Sequence, residues 1–356
     1  MGGEPVNLLE LEAAASDVLD PPARDYFRSG AGEELTLARN RAAFGEIELL
    51  PRVLVDVSGV DASTEVVGTT LPHPVIVAPT AFHRLAHEDG EPATARGAAA
   101  AGALNCLSSL SNTPMDEVAV AAGEAPRWFQ LYVLRDRGVT RDLVARAEET
   151  GYGAIVLTVD APVLGRRERD VRNEFELPEG LTIACVPEGE VAAPTGESGL
   201  AAYFATMLDP SLDWTDLEWL VSSTSLPVVV KGVHRADDAE RAVESGAAGV
   251  VVSNHGGRQL DTVPATIEML PAVVEAVGDR GDVLLDGGVR RGTDVVKALA
   301  LGARAVLIGR PVIWALATGG AEGVEAAIRM LVAETEEAMK LTGAPSLSAL
   351  TRDLLV

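Results

Sequence analysis

LPVVVKGVHRADDAERAVESGAAGVVVSNHG (226–256) contains two apolar, β-branched runs separated by a segment with helical periodicity. The helical segment ends at Gly246, and glycine is a common helix stop because it adopts a left-handed backbone without strain. Both apolar runs are continuous rather than alternating, which is typical of parallel strands covered on both faces. This stretch therefore predicts one strand–helix–strand unit.

The same pattern repeats along most of the chain. Segments of helical character, such as GEPATARGAAAAG (90–102) and TRDLVARAEET (140–150), separate most of the apolar runs. Eight successive units predict an α/β protein with a closed (β/α)8 TIM barrel. An open doubly wound sheet normally has GxGxxG after its first strand, whereas the first strand here ends APTAFH. The eight runs are 75–81, 103–109, 126–132, 154–162, 226–232, 249–256, 282–288 and 305–311.

Three segments fall outside the repeat, within what we predict to be a single domain of residues 1–356. Residues 1–70 form an N-terminal helical extension, and the barrel occupies 71–320. A long insertion after strand 4 includes a lid at about 171–215, with a Pro/Gly/Glu-rich stretch at 177–199. Residues 321–356 form a C-terminal helix and tail.

The composition limits the classes of function. The chain has 356 residues, of which 47% are hydrophobic, and its net charge is −24. Such an acidic chain is not expected to bind nucleic acid or an anionic membrane, both of which select basic surfaces. Its two cysteines form no CxxC pair, so no metal site or disulfide framework is expected. With no signal-peptide pattern and no apolar run of about 18 residues, we expect a cytoplasmic protein.

Polar side chains follow the apolar runs at their carboxyl ends. In barrels of this kind these ends meet at one face, which carries the active site. The concentration of hydroxyls, amides and charges predicts a functional site there. The residues are Pro79, Thr80, Ala81, Ser108, Ser109, Gln130, Tyr132, Thr158, Asp160, Lys231, Ser253, His255, Asp286, Gly287, Gly288, Gly309 and Arg310.

The last two strand ends favour a ligand that carries a phosphate. DGGVRRG (286–292) and IGRP (308–311) place glycines and arginines after strands 7 and 8, where barrels often bind phosphate. Arg290 and Arg310 can add charge-assisted hydrogen bonds. The alternative for DGG alone is a tight turn.

A lysine, a histidine and the arginines near the strand ends indicate which chemistry the site performs. Lys231 ends an apolar strand, where it can form a Schiff base or place a cation beside a cofactor ring. His255 can accept a proton near neutral pH, and Arg258 with GRR (165–167) can bind a carboxylate. Together they predict a site for a small carboxylic acid with an abstractable proton. Of the other histidines, we expect His73, His87 and His234 at the surface and His83 near the pocket without a catalytic role.

The sequence motifs resemble those of a known family. The chain is similar to the FMN-dependent α-hydroxy acid oxidases and dehydrogenases, which include glycolate, lactate and hydroxymandelate oxidases and mandelate dehydrogenase. SNHGGRQ is close to diagnostic for this family. The matching motifs are DYFRSGA (25–31), APTA (78–81), FQLY (129–132), LTVDAPVLGRRERD (157–170), VKG (230–232), SNHGGRQLD (253–261), DGGVRRGTDVVKALALGA (286–303) and IGRP (308–311).

The resemblance implies a role for each polar strand end. His255 is the expected base and Asp160 its partner, while Lys231 stabilises the negative charge of reduced flavin. The expected substrate-binding residues are Tyr26, Tyr132, Arg167, Arg258, Leu110 and Ala81. The expected FMN-binding residues are Pro79, Thr80, Ala81, Ser108, Gln130, Thr158, Lys231, Ser253, Asp286, Gly287, Gly288, Val289, Arg290, Gly309 and Arg310.

The resemblance also implies the reaction. An (S)-2-hydroxy acid is oxidised to the 2-keto acid, and O2 is reduced to H2O2. Glycolate oxidases have LSSW where this chain has LSSL, so Leu110 replaces a tryptophan and favours a bulky, mandelate-like acid. Ala81 matches the oxidases, whereas mandelate dehydrogenase has glycine. Relatives are often tetramers or octamers, so a homo-oligomer is expected.

Four alternatives stay open. The protein could be a quinone- or cytochrome-linked dehydrogenase of the same family, or an oxidase of a smaller acid such as lactate or glycolate. It could be another FMN barrel, such as an isomerase or nucleotide dehydrogenase, although those lack SNHGGRQ with a second arginine after strand 4. A catalytically inactive flavin-binding scaffold is the last alternative, and the intact set of polar residues argues against it.

Overall fold

The computed structural model describes residues 5–186 and 207–356. The N-terminal extension holds three helices followed by a two-stranded antiparallel hairpin. Asn7 begins the first helix, because its side chain accepts hydrogen bonds from the backbone N–H groups of Leu9 and Glu10. These elements are α1 (Leu8–Val18), α2 (Pro21–Arg28), α3 (Leu35–Gly45), β1 (Thr64–Val66) and β2 (Thr69–Leu71).

Eight parallel strands close a barrel, which confirms the (β/α)8 fold predicted from the sequence. Each predicted apolar run coincides with one of these strands, and only β7 extends past its run, by one residue. The last strand pairs with the first, with Val306 opposite Val75, so the sheet has no free edge. The strands are β3 (Val75–Val77), β4 (Asn105–Ser108), β5 (Arg127–Leu131), β6 (Ile155–Thr158), β7 (Val228–Val233), β8 (Gly249–Val252), β9 (Asp282–Asp286) and β10 (Ala305–Ile308).

The strands are mostly apolar because both of their faces are buried, and their polar residues lie near the strand ends. Ile76, Trp128 and Leu307 belong to the cluster inside the barrel, whereas Val75 and Val77 belong to the cluster that packs against the surrounding helices. Neighbouring residues of a strand point to opposite faces. Two apolar layers therefore need continuous runs rather than alternating ones, as the sequence has them.

The helices surround the barrel in chain order. They are α4 (Gly90–Ala101), α5 (Met115–Ala122), α6 (Arg137–Glu149), α7 (Glu168–Arg172), α8 (Trp214–Ser222), α9 (Ala236–Glu244), α10 (Thr266–Val277), α11 (Gly292–Ala300) and α12 (Arg310–Thr342). α12 begins before the predicted residue 321 and is interrupted by non-helical backbone at Gly319 and Gly320. It packs closely on α4, because a Cβ on Gly97 would lie 2.4 Å from the carbonyl oxygen of Ala321.

The extension and the insertion both reach the carboxyl ends of the barrel strands. α2 packs against α7, and α3 packs against the turn that follows β8. Part of the predicted lid and of the 177–199 stretch lies outside the described residues. The proposed boundaries at residues 70 and 320 stay predictions. Within the described ranges, no helix is both long and apolar enough to cross a membrane.

Candidate active site

The carboxyl ends of the strands surround one cavity, with an open space of about 1000 Å³. The strand-end residues predicted for the site line it except Ser109, Asp160 and Ser253, each of which hydrogen-bonds a lining residue. The lining residues that were predicted are Tyr26, Pro79, Thr80, Ala81, Ser108, Leu110, Gln130, Tyr132, Thr158, Arg167, Lys231, His255, Arg258, Asp286, Gly287, Gly288, Val289, Arg290, Gly309 and Arg310.

Five further lining residues were missed by the sequence analysis. Gly256, Leu307 and Ile308 lie inside motifs or strands that were recognised, so their places in the chain carried a signal. Ala78 is the first residue of the APTA motif. Phe27 comes from α2, outside the barrel, and only the resemblance of DYFRSGA pointed to that helix.

His255 and Asp160 form a pair at the cavity wall. His255 Nδ1 lies 2.9 Å from Asp160 Oδ1, and the Asp160 side chain is only 5% exposed. His255 has a left-handed backbone (φ 56°), and its N–H donates to Ser253 Oγ at 3.1 Å. With the Nδ1 proton donated to the carboxylate, Nε2 keeps a lone pair that can accept a proton.

The electrostatics of this pair favour a neutral imidazole. Burial lowers the pKa of His255, and the nearby Asp160 only partly opposes that shift. Burial alone would raise the pKa of Asp160, but His255 and Lys231 lower it by more, so Asp160 stays a carboxylate. A neutral histidine oriented by a carboxylate has the properties of a general base.

Two arginines and two tyrosines line one side of the same cavity. Arg258 Nη1 donates to the carbonyl oxygens of Tyr26 at 2.5 Å and Ser29 at 3.1 Å, so the N-terminal extension holds this guanidinium. The Arg258 guanidinium carbon also lies 4.9 Å from the centre of the Tyr26 ring. Burial and the positive charge of Arg258 together lower the pKa of Arg167 to about 10, so Arg167 stays charged at neutral pH.

These charges are only partly neutralised by the protein. The Arg167 Nη1 atom lies 3.7 Å from Asp170 Oδ2, and its Nε donates to the Arg258 carbonyl oxygen at 3.4 Å. Burial raises the pKa of both Tyr26 and Tyr132, so both remain phenols that can donate hydrogen bonds. The arrangement suits a small carboxylate with a neighbouring hydroxyl.

Lys231 is held as a cation at the base of the cavity. Its Nζ lies 3.1 Å from Asp286 Oδ2 and donates to Ser253 Oγ at 3.0 Å. Burial lowers the pKa of Lys231, but Asp286 and Asp160 raise it by more. Because an ammonium is a poor nucleophile, this environment favours the cation beside a cofactor ring over the Schiff base that the sequence left open.

A row of hydrogen bonds crosses the mouths of β4, β5 and β6. Gln130 Oε1 accepts from Ser108 Oγ at 3.2 Å, and Gln130 Nε2 donates to Thr158 Oγ1 at 3.0 Å. All three side chains are buried and line the cavity. These hydrogen bonds fix the orientation of the Gln130 amide. The row can therefore present hydrogen-bond donors and acceptors in fixed positions to a ligand with a polar ring.

The arginines that follow β9 and β10 suit an anion. Burial lowers the pKa of Arg290 to about 10 and that of Arg310 well below its usual range, and no carboxylate within the described residues forms an ion pair with either. Arg290 Nε is buried without a partner, while Arg310 donates to the carbonyls of Phe27, Gly256 and Ser29. An uncompensated pair of guanidiniums is stabilised by a bound phosphate.

Two histidines are more buried than the sequence predicted. His73 is not at the surface, as expected, but is 4% exposed, and its Nε2 lies 3.0 Å from the carbonyl oxygen of Ala101. The surface prediction for His73 was wrong because a histidine beneath the end of α4 can satisfy a free helix carbonyl. His83 is also buried and does not line the cavity. His87 and His234 are partly exposed.

The chain is similar to known FMN-dependent oxidases in sequence and structure. The model of a family described as FMN-dependent dehydrogenase matches residues 15–356. The chain is 53% identical to an L-lactate oxidase of a Nostoc species, with 99% of this chain and 98% of the relative covered. It is 51% identical to glycolate oxidase 1 of Oryza sativa subsp. indica, with 98% and 95% covered.

A solved structure of similar fold belongs to an oxidase that is named for a third acid. The crystal structure of mandelate oxidase with (S)-4-hydroxymandelic acid matches with a TM-score of 0.94 at 45% sequence identity. The match covers 99% of this chain and 98% of that chain. The similarity therefore extends over the whole fold, including the strand ends that form the cavity.

Proposed function

Since the chain belongs to the FMN-dependent dehydrogenase family, we propose that it oxidises an (S)-2-hydroxy acid with a bulky or aromatic side chain. The product is the 2-keto acid, and O2 is reduced to H2O2. The observation that carries this proposal is the His255–Asp160 pair facing the same cavity as Arg167 and Arg258. A base and a carboxylate site within one cavity are the two requirements of this reaction.

The residues of the cavity fit FMN, the cofactor of this family. The buried and unpartnered Nε of Arg290, together with Arg310, suits the phosphate, and Asp286 Oδ1 is a second buried atom without a partner. We assign the ring to the row of Ser108, Gln130 and Thr158, beside Lys231. FMN supplies a two-electron acceptor at this place.

The remaining FMN contacts are assigned from the resemblance of their motifs and from their presence at the cavity. We assign Pro79, Thr80 and Ala81, which follow β3, to the ring, and Ser253 acts through Lys231 and His255, both of which it contacts. We assign the segment from Asp286 to Arg290 and the Gly309–Arg310 pair, which line the cavity, to the ribityl chain and the phosphate. The Lys231 ammonium stabilises negative charge on the ring.

The protein residues would act on the substrate in a defined order. Arg167 and Arg258 bind the carboxylate, and Tyr26 and Tyr132 donate to the carboxylate and the hydroxyl. His255 Nε2 then accepts one proton, either from C2 or from the hydroxyl as a hydride leaves C2. In both cases the two electrons would pass to the acceptor that FMN supplies, C2 and the hydroxyl each lose their hydrogen as the carbonyl forms, and Asp160 stabilises the imidazolium.

Leu110 and Ala81 both line the cavity, and we assign them to the wall of the side-chain pocket, where a leucine in place of tryptophan leaves room for a bulky acid. The TM-score of 0.94 with a mandelate oxidase supports the same substrate class. An oxidase of lactate or glycolate is the second candidate, supported by the relatives that are 53% and 51% identical. A quinone- or cytochrome-linked dehydrogenase differs from both in that its reduced form reacts slowly with air.

Replacing Leu110 with tryptophan tests the pocket. We expect kcat/KM for mandelate to fall by about 10- to 100-fold while that for glycolate changes little, because the added ring fills the space of an aromatic side chain. Anaerobic flavin reduction with each acid measures the effect. Leu110→Met keeps the volume and serves as the control. Equal mandelate kinetics in the tryptophan variant and the native protein would contradict the proposal.

Replacing Arg258 with lysine tests the carboxylate site. Lysine has one ammonium group, which cannot hold the carbonyls of Tyr26 and Ser29 and also present a planar fork to the substrate. We expect KM to rise by about 10- to 100-fold, as for a lost charge-assisted hydrogen bond. Arg28→Lys, an exposed change on α2, is the matched control. An unchanged KM would remove Arg258 from the substrate site.

We propose that the protein is a cytoplasmic homo-oligomer, a tetramer or octamer, as its relatives often are. Light scattering of the purified protein measures its mass in solution. A monomer would refute the assembly and leave the assignment of the active site intact, since one chain supplies every residue of the cavity.

A further inference from the structure

Glu91 is a buried carboxylate that the reaction does not use. It lies in the first turn of α4 and is 1% exposed. No basic side chain forms an ion pair with it among the described residues. An acidic side chain that is buried in this way is costly unless several hydrogen bonds compensate the loss of water.

The hydrogen bonds of Glu91 join two different active-site loops. Glu91 Oε1 accepts from the backbone N–H of His83 at 3.1 Å and from that of Asn112 at 2.9 Å. His83 comes two residues after Ala81, and Asn112 comes two residues after Leu110. One carboxylate oxygen therefore connects the loop after β3 with the loop after β4, directly behind both wall residues.

Further contacts strengthen this connection. Glu91 Oε2 accepts from Thr113 Oγ1 at 3.0 Å, and the His83 ring lies 2.9 Å from Thr94 Oγ1 on α4. The backbone N–H of Phe82 donates to the Leu110 carbonyl oxygen at 3.3 Å. The two loops are thus joined directly by the Phe82–Leu110 bond and indirectly through Glu91, while the His83–Thr94 contact fixes the loop after β3 on α4.

The loop after β4 also contacts the insertion at Thr182 and Ala184. Asn112 Nδ2 donates to the Thr182 carbonyl oxygen at 2.9 Å, and the Ala184 N–H donates to the Ser111 carbonyl oxygen at 2.8 Å. Loss of the Glu91 carboxylate would leave two backbone N–H groups without their acceptor. The loops would then move toward other partners, and the wall would move with them.

We propose that Glu91 is a positioning residue that sets the width of the substrate side-chain pocket. It does so by fixing the separation of the loops that carry Ala81 and Leu110. The proposal rests on the function proposed above only for the identity of the substrates. Glu91 itself touches neither the substrate nor the cofactor, since it does not line the cavity.

The test compares Glu91→Ala with Glu91→Gln. Glutamine keeps an oxygen for the two N–H donors, and its amide can donate to Thr113 Oγ1, so we expect it to retain the native behaviour. In the alanine variant we expect the ratio of kcat/KM for mandelate to that for lactate to change by about 10-fold or more. The pH profile, which reports His255, should stay unchanged. Glu88→Ala, an exposed neighbour, is the matched control.

A second readout does not depend on turnover. Visible circular dichroism of bound FMN reports the surroundings of the ring, and it should change in Glu91→Ala but not in Glu91→Gln or Glu88→Ala. If the native protein oxidises no 2-hydroxy acid, the proposed function fails while this spectral difference still tests the role of Glu91. If Glu91→Ala keeps both the native ratio and the native spectrum, the positioning role is refuted.

A variant with a milder change covers the case in which Glu91→Ala does not fold. Thr113→Val removes one of the three donors and leaves both backbone bonds in place. We expect Thr113→Val to shift the same ratio by less than Glu91→Ala does. Where Glu91→Ala can be measured, both shifts should have the same direction. A native ratio and spectrum in Thr113→Val, together with an unfolded Glu91→Ala, would show that Glu91 contributes to stability alone and would overturn the proposal.

Discussion

Replacing His255 with alanine is expected to leave FMN bound and to slow its reduction by the substrate by about 10³- to 10⁴-fold, the range for loss of a general base. The reason is the position of Nε2, which faces the cavity while Nδ1 is held 2.9 Å from Asp160. FMN should be retained because the proposed phosphate and ring contacts come from other strand ends. Anaerobic stopped-flow absorbance at the flavin band measures the rate.

Two controls separate the base from general damage. His87→Ala removes a partly exposed imidazole and should reduce FMN at the native rate. The His255→Ala protein should also show the flavin content of the native protein. Reduction at the native rate in His255→Ala would mean that another group removes the substrate proton.

The same histidine sets the expected pH dependence. Burial lowers the pKa of His255 below its usual value of about 6.5, so the neutral base persists as the pH falls through that value. Protonation removes the lone pair of Nε2, so kcat/KM should decline only at lower pH. An acid limb centred above about pH 7 would contradict the direction of this shift.

Replacing Asp160 with asparagine is expected to slow FMN reduction by about 10³-fold. The carboxylate can only accept the Nδ1 proton, whereas an amide can donate to Nδ1 and leave the proton on Nε2, which then cannot act as a base. Asparagine also removes the charge that stabilises the imidazolium. The substrate should still bind, because Arg167 and Arg258 are unchanged, so kcat should fall far more than KM rises.

Asp238→Asn, an exposed change in α9, is the matched control for the loss of one carboxylate. Measuring kcat and KM separately in both variants distinguishes orientation from binding. A large rise in KM with unchanged kcat in Asp160→Asn would place Asp160 in substrate binding and remove it from the orientation of His255.

Much of the barrel could be predicted because each strand is short, apolar and buried on both faces. The carboxyl end of each strand could be read from the polar residues near the end of the run, which located Gln130, Lys231 and Asp286. The role of Tyr26 depended on the resemblance, whereas GRR (165–167) already indicated a carboxylate site and the resemblance added the choice of Arg167. Their positions arise from the packing of α2 on α7, which no local pattern reveals.

Other parts of the site depend on backbone atoms, whose contacts leave no trace in residue type. Arg258 and Arg310 are held by carbonyl oxygens of Phe27 and Ser29, among others, and any residues at those positions would supply the same atoms. Glu91 and His73 were missed for a related reason. Each satisfies buried backbone groups that are distant in the chain, so only the folded structure brings the partners together.

We propose that this cavity oxidises a bulky 2-hydroxy acid and that the electrons pass to O2. The most direct measurement is to mix the purified protein anaerobically with (S)-mandelate, (S)-lactate and glycolate, follow the flavin absorbance, and then admit air. We predict rapid bleaching by mandelate, slower bleaching by glycolate, and prompt recolouring in air. A yellow protein that none of the three acids bleaches would contradict the proposed oxidation of a 2-hydroxy acid.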